Sequence, residues 1–234
     1  MKVIETKNLH KIYNSTQVPV KAVNGVDLTI EEGEFTAIVG PSGCGKTTLM
    51  NMIGGLDEPT EGSVIVNGQL LNDLKSSDLI DFRLHNIGFV FQAYNLLPVL
   101  TVKENVEFIM QLQGRSREEC NKRVDELLKA IGLPEKRDQR PNKLSGGQQQ
   151  RVSVARALAS KPKFILADEP TANLDSKSTS ELLDLMEKLN REENMTFVFS
   201  THDERVMRKA RRLITLEDGK IVKDKKNNGR QENQ

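Results

Sequence analysis

The sequence predicts an α/β fold with a largely parallel sheet and an inserted helical lobe. Short apolar segments that suit strands alternate with helical segments in the first and last thirds of the chain, which is the pattern of a parallel sheet. In the middle, apolar residues instead recur at every third and fourth position, as on amphipathic helices. A length of 234 residues, 37% apolar and 29% charged, suits one large domain that carries such an insertion.

The individual elements follow from local patterns. Asn67-Gly68 marks a hairpin turn, and helices are predicted within "TVKENVEFIMQLQ", "SREECNKRVDELLKAIGL" and "LSGGQQQRVSVARALAS". Later, "FILADE" and "TFVFSTH" flank a leucine-rich helix, and "LITLEDGKIV" predicts a closing hairpin around Asp218-Gly219. In the first third, strands are predicted at residues 26–30, 35–40, 63–68 and 87–92.

These elements suggest boundaries within a single domain, residues 1–234. Residues 1–92 and 161–222 are assigned to the core with its β lobe, and residues 93–160 to the helical lobe. The polar tail, residues 223–234, is expected to be disordered.

Composition narrows the class of protein. The 34 basic and 33 acidic side chains leave a net charge of +1, so no overall field favours nucleic acid as a partner. Cys44 and Cys120 have no CxxC partner, which disfavours a zinc site or a disulfide framework and favours a reducing compartment. The first residues lack the apolar core of a signal peptide, and no apolar run approaches the roughly 18–20 residues that cross a bilayer. We therefore expect any membrane association to come through a partner.

The stretch "IVGPSGCGKTTLM" matches the P-loop pattern Gly40-x-x-x-x-Gly45-Lys46-Thr47, between a predicted strand and a predicted helix. Glycines let successive N–H groups face a phosphate, and the helix dipole favours the same anion. Lys46 adds a positive charge, and the Thr47 hydroxyl can bind Mg²⁺. A glycine-rich turn that precedes a lysine by chance is the alternative. Nucleotide contacts are expected from the whole stretch: Gly40, Pro41, Ser42, Gly43, Cys44, Gly45, Lys46, Thr47 and Thr48.

Cys44 lies inside this loop and has two interpretations. It is either a small filler residue or a reactive thiol among inward-facing N–H groups. The second interpretation predicts that thiol reagents block nucleotide binding through Cys44.

Two carboxylates end the apolar segment "FILADE". Asp168, at the end of a strand beside a P-loop, is well placed to hold Mg²⁺ directly or through water. The next residue points the other way along a pleat, so Glu169 can face the γ-phosphate and act as general base for water. Two solvated acids at a strand end are the alternative, which the P-loop in the same chain disfavours.

Two further predicted strands lead to polar residues. His202 follows "FVFST" and Gln92 follows "IGFVF". A lone histidine is usually structural. Three strands that each end in a polar group nevertheless suggest one site at the carboxyl edge of the sheet, where ligands of open α/β sheets bind.

The segment "LSGGQQQRVSVARAL" contains Leu144-Ser145-Gly146-Gly147-Gln148, which resembles the signature motif of ABC transporter ATP-binding subunits. The P-loop, Gln92, "FILADEP", "ANLD" and "STHD" stand around it in that family's order, so the resemblance covers nearly the whole chain. It implies a RecA-like α/β core with an antiparallel β lobe and a helical lobe, and an ATPase that uses ATP and Mg²⁺.

The resemblance also implies roles for single residues. Tyr13, an aromatic residue upstream of the P-loop, would stack on adenine. Gln92 would contact Mg²⁺ and the attacking water, and His202 would contact the γ-phosphate. Asp175 would lie at a dimer interface.

The signature segment points to a second chain on physical grounds as well. Ser145 is a good helix N-cap, and Gly146 and Gly147 leave backbone N–H groups free at the start of a helix, so with Gln148 they form a second predicted phosphate-binding surface. One γ-phosphate needs one P-loop. Two surfaces per chain therefore suggest a homodimer that shares two ATP molecules head to tail, closed by ATP and released by hydrolysis.

The segments around the motifs indicate a subtype of ABC transporter ATP-binding subunit. "KAVNGVDLTIEEGEF" and "IGFVFQAYNLLPVLTVKENVE" resemble the lipoprotein-releasing and macrolide-export group of these ATPases. That implies an integral membrane permease as partner, a cytoplasmic chain held at the inner face of the cell membrane by it, and lipoproteins, peptides or drugs as cargo. The alternatives are a soluble ABC ATPase not tied to transport, a cell-envelope mechanotransmission ATPase, and a regulatory module that binds ATP without turnover.

Two surface segments have open interpretations. "AYNLLPVLT", which contains Leu97 and Leu100, either packs in the helical lobe or forms a groove for a cytoplasmic helix of the permease. The basic run "ERVMRKARR" is either a solvated helix face or a contact with anionic lipid.

Overall fold

Two β-sheets and a helical lobe make up the computed structural model, which describes residues 1–14 and 18–227. The strands of the smaller, antiparallel sheet are β1 (Lys2–Tyr13), β2 (Val20–Glu31), β4 (Glu61–Val66) and β5 (Gln69–Leu70). Those of the larger sheet are β3 (Phe35–Val39), β6 (Ile87–Val90), β7 (Phe164–Asp168), β8 (Thr196–Thr201), β9 (Arg212–Glu217) and β10 (Lys220–Lys226).

The order of strands confirms the predicted α/β class. The smaller sheet runs β2-β1-β4-β5 and the larger runs β10-β9-β3-β8-β7-β6. Neighbours in the larger sheet are parallel except β9 and β10, which form the predicted closing hairpin. Its turn residues Asp218 and Gly219, like Asn67 and Gly68 between β4 and β5, all have positive φ, as the two-residue hairpin turn requires.

Seven α-helices lie within the described residues, and none of them is long and apolar enough to cross a membrane. The three helices predicted for the helical lobe are present, and each begins with a capping box, at Thr101, Ser116 and Ser145. The seven are α1 (Lys46–Ile53), α2 (Ser76–Asn86), α3 (Val102–Leu112), α4 (Arg117–Ala130), α5 (Gly146–Ala159), α6 (Ser176–Glu193) and α7 (Glu204–Lys209).

The central strands of the larger sheet are buried on both faces, which is why they have nearly continuous apolar sequences. Successive side chains of one strand enter different cores. In β7, Ile165 and Ala167 pack towards the helical lobe and α6, whereas Phe164 and Leu166 pack towards α1 and the antiparallel sheet. The sheet therefore separates two cores and carries its loops at its ends.

Two elements were not predicted from the sequence. α2 has no buried residue, so it has no apolar stripe to reveal its period. β1 pairs with β2 through several register shifts, and Asn8 within it has a left-handed backbone, φ 44°. These irregularities interrupt the alternation by which a strand is recognised.

The prediction of a disordered tail from residue 223 was wrong for its first residues. β10 extends to Lys226 and pairs with β9, while residues 228–234 lie outside the described residues. An ion-pair cluster stabilises this pairing. Arg212 on β9 donates to Asp224 on β10 and to Glu34, at 2.7–3.0 Å, and these bonds raise the pKa of Arg212 and lower that of Asp224.

The basic run around α7 is largely paired within the described residues. Arg205 donates to Asp203, and Lys209 donates to acids on α6. Arg208 lies 3.6 Å from Glu204. This pairing supports the interpretation of a solvated face.

Replacing Arg212 by Met should lower the free energy of unfolding by about 2–3 kcal/mol at pH 7, because Glu34 and Asp224 lose their common partner. The lowered pKa of Asp224 means that this stabilisation is present above the ordinary Asp pKa of about 3.9 and is lost as the pH falls below it. Urea unfolding at several pH values measures both effects. Lys223→Met, on exposed β10, is the control and should change stability by less than about 0.5 kcal/mol; an equal loss in both variants would contradict the account.

Candidate functional site

An open cleft of about 600 Å³ lies at the carboxyl edge of the larger sheet, above the loop that joins β3 to α1. It brings together residues from five separate segments of the chain. Those segments include the predicted P-loop and the predicted ends of three strands, so the expected convergence at this edge is seen. The cleft is lined by Ala22, Ser42, Gly43, Gly45, Lys46, Thr47, Thr48, Gln92, Glu169 and His202.

The loop backbone adopts conformations that require glycine. Gly43 and Gly45 have φ of 80° and 104°. At Gly45 an added Cβ would lie 2.0 Å from the Ala22 carbonyl oxygen, so a side chain does not fit. At Gly43 it would meet nothing within 4 Å, because this residue faces the open cleft. The loop is thus packed against β2 on one side and free on the side where a ligand would enter.

Lys46 is the first residue of α1 and is 8% exposed. Its ammonium group donates to the carbonyls of Gly40 and Pro41, at 2.9 and 3.0 Å. These weak neutral acceptors hold a positive charge beside the cleft, where a phosphate oxygen would be a stronger partner.

Cys44 does not line the cleft. Its side chain is 5% exposed and packs in the core under α1, and its N–H points to the Pro41 carbonyl, 3.4 Å away. This burial favours the small-filler interpretation. That thiol reagents block nucleotide binding through Cys44 stays a prediction, which the burial of the thiol disfavours.

Two of the three predicted metal ligands, Thr47 and Asp168, are in contact. The Thr47 hydroxyl donates to Asp168 Oδ1 over 3.3 Å, and the Ser200 hydroxyl donates to the same oxygen. No group of three or more His, Cys, Asp or Glu side chains within the described residues could hold a metal by itself. Mg²⁺ commonly takes one or two protein oxygens and completes its shell with substrate phosphates and water, so a hydroxyl beside a carboxylate fits that ion.

Glu169 is oriented by a turn, and the expectation that the pleat of the strand directs it was wrong. β7 ends at Asp168, and Glu169 has a left-handed backbone, φ 46°. Its N–H donates to both the carbonyl and the hydroxyl of Ser200, at 3.0 and 3.2 Å. Such strain costs about 1–3 kcal/mol and is commonly found at functional sites. Ser200 was not recognised as a site residue, since it lies inside an apolar strand.

Glu169 and His202 form a pair at the mouth of the cleft. The two groups are 2.8 Å apart, from Nδ1 to Oε1, so Nδ1 carries the proton that is donated to the carboxylate. His202 is 71% exposed, whereas Glu169 is 15% exposed. The second oxygen, Oε2, is buried and has no hydrogen-bond partner among the described residues. A buried carboxylate oxygen normally has a partner, so this one is available to a water molecule or a ligand.

Gln92 is exposed and reaches the cleft from the loop that follows β6. The main-chain carbonyl of Gln92 accepts a hydrogen bond from the side chain of Asn173, at 3.0 Å. Asn173, in the "ANLD" segment, was not predicted to position Gln92.

The signature residues lie outside this cleft. Ser145 caps α5, and its N–H donates in return to the side chain of Gln148, at 3.0 Å, so the predicted N-cap is confirmed. The glycines are also required for close packing, because a Cβ at Gly147 would lie 2.6 Å from the Ser178 hydroxyl. Asp175 caps α6 through the N–H and hydroxyl of Ser178. The signature segment and Asp175 thus share one surface, separate from the P-loop.

Tyr13 also lies outside the cleft lining. Its hydroxyl donates to Asp57, at 2.7 Å, and the Lys11 ammonium lies 5.1 Å from the ring centroid. Burial and the bond to Asp57 raise the pKa of Tyr13. The ring is therefore held in place by a pair of side chains that the sequence did not reveal.

The strand, glycine loop and helix, with a lysine inside the loop and a hydroxyl beside a carboxylate, define a P-loop nucleotide-binding protein. Comparisons with known proteins specify the family. Residues 23–172 match the ABC transporter family model. The chain is 48% identical to an uncharacterized ABC transporter ATP-binding protein, MJ0796, of Methanocaldococcus jannaschii, over 97% of this chain and 98% of that protein. A solved dimeric structure of MJ0796 in a post-hydrolysis state, bound to ADP and Pi, has a TM-score of 0.89 at 46% identity and covers 97% and 99% of the two chains.

Two functional classes appear among the relatives. The lipoprotein-releasing system ATP-binding protein LolD 1 of Rhodopseudomonas palustris is 45% identical over 94% of this chain and 98% of its own length. The macrolide export ATP-binding/permease protein MacB of Hyphomonas neptunium is 46% identical over 96% of this chain, which spans 35% of that protein.

The chain belongs to the ABC transporter family. It is an ATP-binding and ATP-hydrolysing subunit that powers transport, and the RecA-like core with its two lobes is confirmed.

Gly45→Ala should lower the free energy of unfolding by more than about 2 kcal/mol and abolish nucleotide binding, because the new methyl group overlaps the Ala22 carbonyl. Gly43→Ala is the matched control within the same loop. It adds backbone strain of about 1–2 kcal/mol but no clash, so it should destabilise less. Urea unfolding of both variants measures the difference, and equal destabilisation would contradict the packing described.

Proposed function

We propose that two copies of this chain close head to tail on two ATP molecules and thereby drive a separate membrane permease that exports or releases lipoproteins, peptides or drugs. The observation that carries the catalytic part is the environment of Glu169. Its carboxylate has one oxygen held by His202 and one buried oxygen with no partner among the described residues, beside the hydroxyl–carboxylate pair of Thr47 and Asp168. That arrangement suits a general base which receives a water molecule.

Each side chain of the cleft then has a role. Lys46 exchanges its two carbonyl partners for the outer phosphates, which are stronger acceptors. Thr47, Asp168 and Gln92 would hold Mg²⁺, which when bound neutralises charge on the phosphates. Glu169 accepts a proton from the attacking water, while His202 orients the carboxylate and contacts the γ-phosphate. The loop from Gly40 to Thr48 supplies the remaining phosphate contacts.

The adenine base of ATP would be recognised by Tyr13. One face of its ring carries Lys11, and the hydroxyl is bound to Asp57, so the ring is oriented before the nucleotide binds. Burial alone would raise the pKa of Asp57, but hydrogen bonds from Lys11 and Tyr13 outweigh it and lower that pKa. An anionic acceptor at the hydroxyl fixes the ring, which lowers the entropic cost of stacking a nucleotide base on it.

The second copy would complete the site. Ser145, Gly146, Gly147 and Gln148 lie away from the cleft of their own chain, at the start of α5, where backbone N–H groups and the helix dipole favour an anion. In a head-to-tail pair this surface faces the partner's γ-phosphate, and Asp175, which adjoins it, lies at the dimer interface. The dimeric structure of MJ0796 supports the association of two chains.

The loop from residue 93 to 101 is the proposed contact with the permease. Leu97 and Val99 are 41% and 73% exposed, so two apolar side chains of this short loop face solvent together. The loop is nevertheless rigidly held, since buried Asn105 accepts from the Leu97 N–H and donates to the carbonyls of Leu97, Leu100 and Thr101. A fixed apolar surface of this kind suits a short helix from a membrane subunit, which would hold the chain at the inner face of the cell membrane. A net charge of +1 gives no support for nucleic acid as a partner.

Glu169→Gln should retain ATP binding and lower ATP turnover by about 100-fold or more, because the general base is lost while the shape of the side chain is kept. Light scattering should then detect an ATP-dependent particle of twice the 26.3 kDa chain mass, while the wild type stays monomeric as hydrolysis empties the dimer. Glu192→Gln, an exposed acid on α6, is the control. Full turnover in Glu169→Gln would rule out its role as base, and a variant that binds ATP without dimerising would remove support for the shared site in the isolated chain.

Leu97→Glu should release the chain from membranes without changing its basal ATPase activity, because it places a charge in the proposed apolar contact. Fractionation of cells that express the variant, with ATPase assays on the purified chain, measures both properties. Val222→Glu, at an apolar position on β10 that is 55% exposed, should remain with the membrane fraction. Loss of both properties in Leu97→Glu, or of neither, would contradict this contact.

A further inference from the structure

The loop that carries Gln92 contains two consecutive strained residues. Tyr94 and Asn95 have left-handed backbones, with φ of 55° and 51°. Neither is glycine, so surrounding groups must hold them in this conformation. The strain lies two residues from a side chain that reaches the cleft.

Arg156, in the last turn of α5, holds these two residues through their carbonyls. Its guanidinium donates to the Tyr94 carbonyl over 2.9 Å through Nη2 and to the Asn95 carbonyl through Nη1. It is partly buried, and burial lowers its pKa. Within residues 1–14 and 18–227 no carboxylate forms an ion pair with it, unlike Arg151 on the same helix, which pairs with Glu181. An arginine placed with neutral carbonyls as its partners is not explained by charge pairing.

Other groups hold the same loop from two sides. From α5, the Gln150 side chain donates to the Phe91 carbonyl, at 3.4 Å. From the segment before α6, Asn173 donates to the Gln92 carbonyl, and its own carbonyl accepts from the Tyr94 hydroxyl. The carbonyls on both sides of Gln92 are therefore anchored, and Arg156 provides the charged anchor.

We propose that Arg156 is a positioning residue, which sets the side chain of Gln92 in the cleft by fixing the left-handed turn at Tyr94 and Asn95. A planar guanidinium can satisfy two adjacent carbonyls at once, whereas a lysine ammonium presents a single point charge. Because Arg156 belongs to the helix that Ser145 caps, a displacement of α5 reaches Gln92 through this bond. The inference rests on the proposed role of Gln92 in the magnesium and water site.

The test compares Arg156→Met, Arg156→Lys and the control Arg151→Met, each alone and with Gln92→Ala. Steady-state ATPase rates are measured against Mg²⁺ concentration, and binding of a fluorescent ATP analogue is measured in EDTA. Arg156→Met should lower kcat by about 10- to 100-fold and raise the Mg²⁺ requirement, since small displacements of a reacting group have effects of that size. Binding in EDTA should stay within about twofold, because Gln92 acts on the metal and the water.

Arg156→Lys should be intermediate, and Arg151→Met should match the wild type. In the Gln92→Ala background Arg156→Met should have no further effect on kcat. A further loss there of the same size as in the wild type would overturn the inference. A Gln92→Ala variant with wild-type kinetics would instead refute the proposed role of Gln92 itself, so the two failures are distinguishable.

A second variant keeps the test decisive if Arg156→Met folds poorly. Glycine adopts φ near 50° without strain, so Asn95→Gly should restore part of the lost kcat when it is combined with Arg156→Met or Arg156→Lys. Absence of any rescue, with a normal circular dichroism spectrum, would show that Arg156 does not act through this turn.

Discussion

The backbone of the P-loop packs directly on its neighbours, and the nucleotide site depends on that contact. Gly45 lies so close to the carbonyl of Ala22 that no side chain fits between them. On the other side, the Gly219 N–H donates to the Cys44 carbonyl over 3.1 Å, and the Gly219 carbonyl accepts from the Asn24 N–H over 2.9 Å. The antiparallel sheet and the closing hairpin therefore shape the loop before any ligand binds, so less conformational entropy is lost when a phosphate enters.

The parallel sheet explains why residues distant in sequence meet at one edge. All of its central strands end on the same side, and the register of β7 and β8 places Asp168 opposite Ser200. The Ser200 hydroxyl and carbonyl can then serve Asp168 and the Glu169 backbone together. One serine in an apolar strand thus supports both carboxylates of the site, and it turns Glu169 away from the strand so that its carboxylate meets His202.

Polar side chains that bind carbonyls order the loop between β6 and α3. Buried Asn105 holds the apolar segment around Leu97, and Arg156 holds the turn at Asn95. Asn173 holds the Gln92 carbonyl from the opposite side. Each of these residues satisfies main-chain groups that an irregular loop leaves unpaired. The site, the signature helix and the exposed apolar segment are therefore all in contact with this one loop, whose main-chain groups are held at several separate points.

The sequence by itself determined the α/β class, most of the strands and helices, the P-loop and the order of the family motifs. These features are local: a glycine spacing, an apolar run, a helix period or a capping pattern is complete within a few residues. It could not reveal α2, which buries no residue, or the extension of β10 to Lys226, which Arg212 supports from another strand. Only the tertiary structure decided that Cys44 faces the core, that a left-handed turn aims Glu169, and that Ser200, Asp57 and Arg156 support residues far from them in sequence. Those outcomes depend on contacts between segments brought together by folding, and residue type and spacing carry no signal for them.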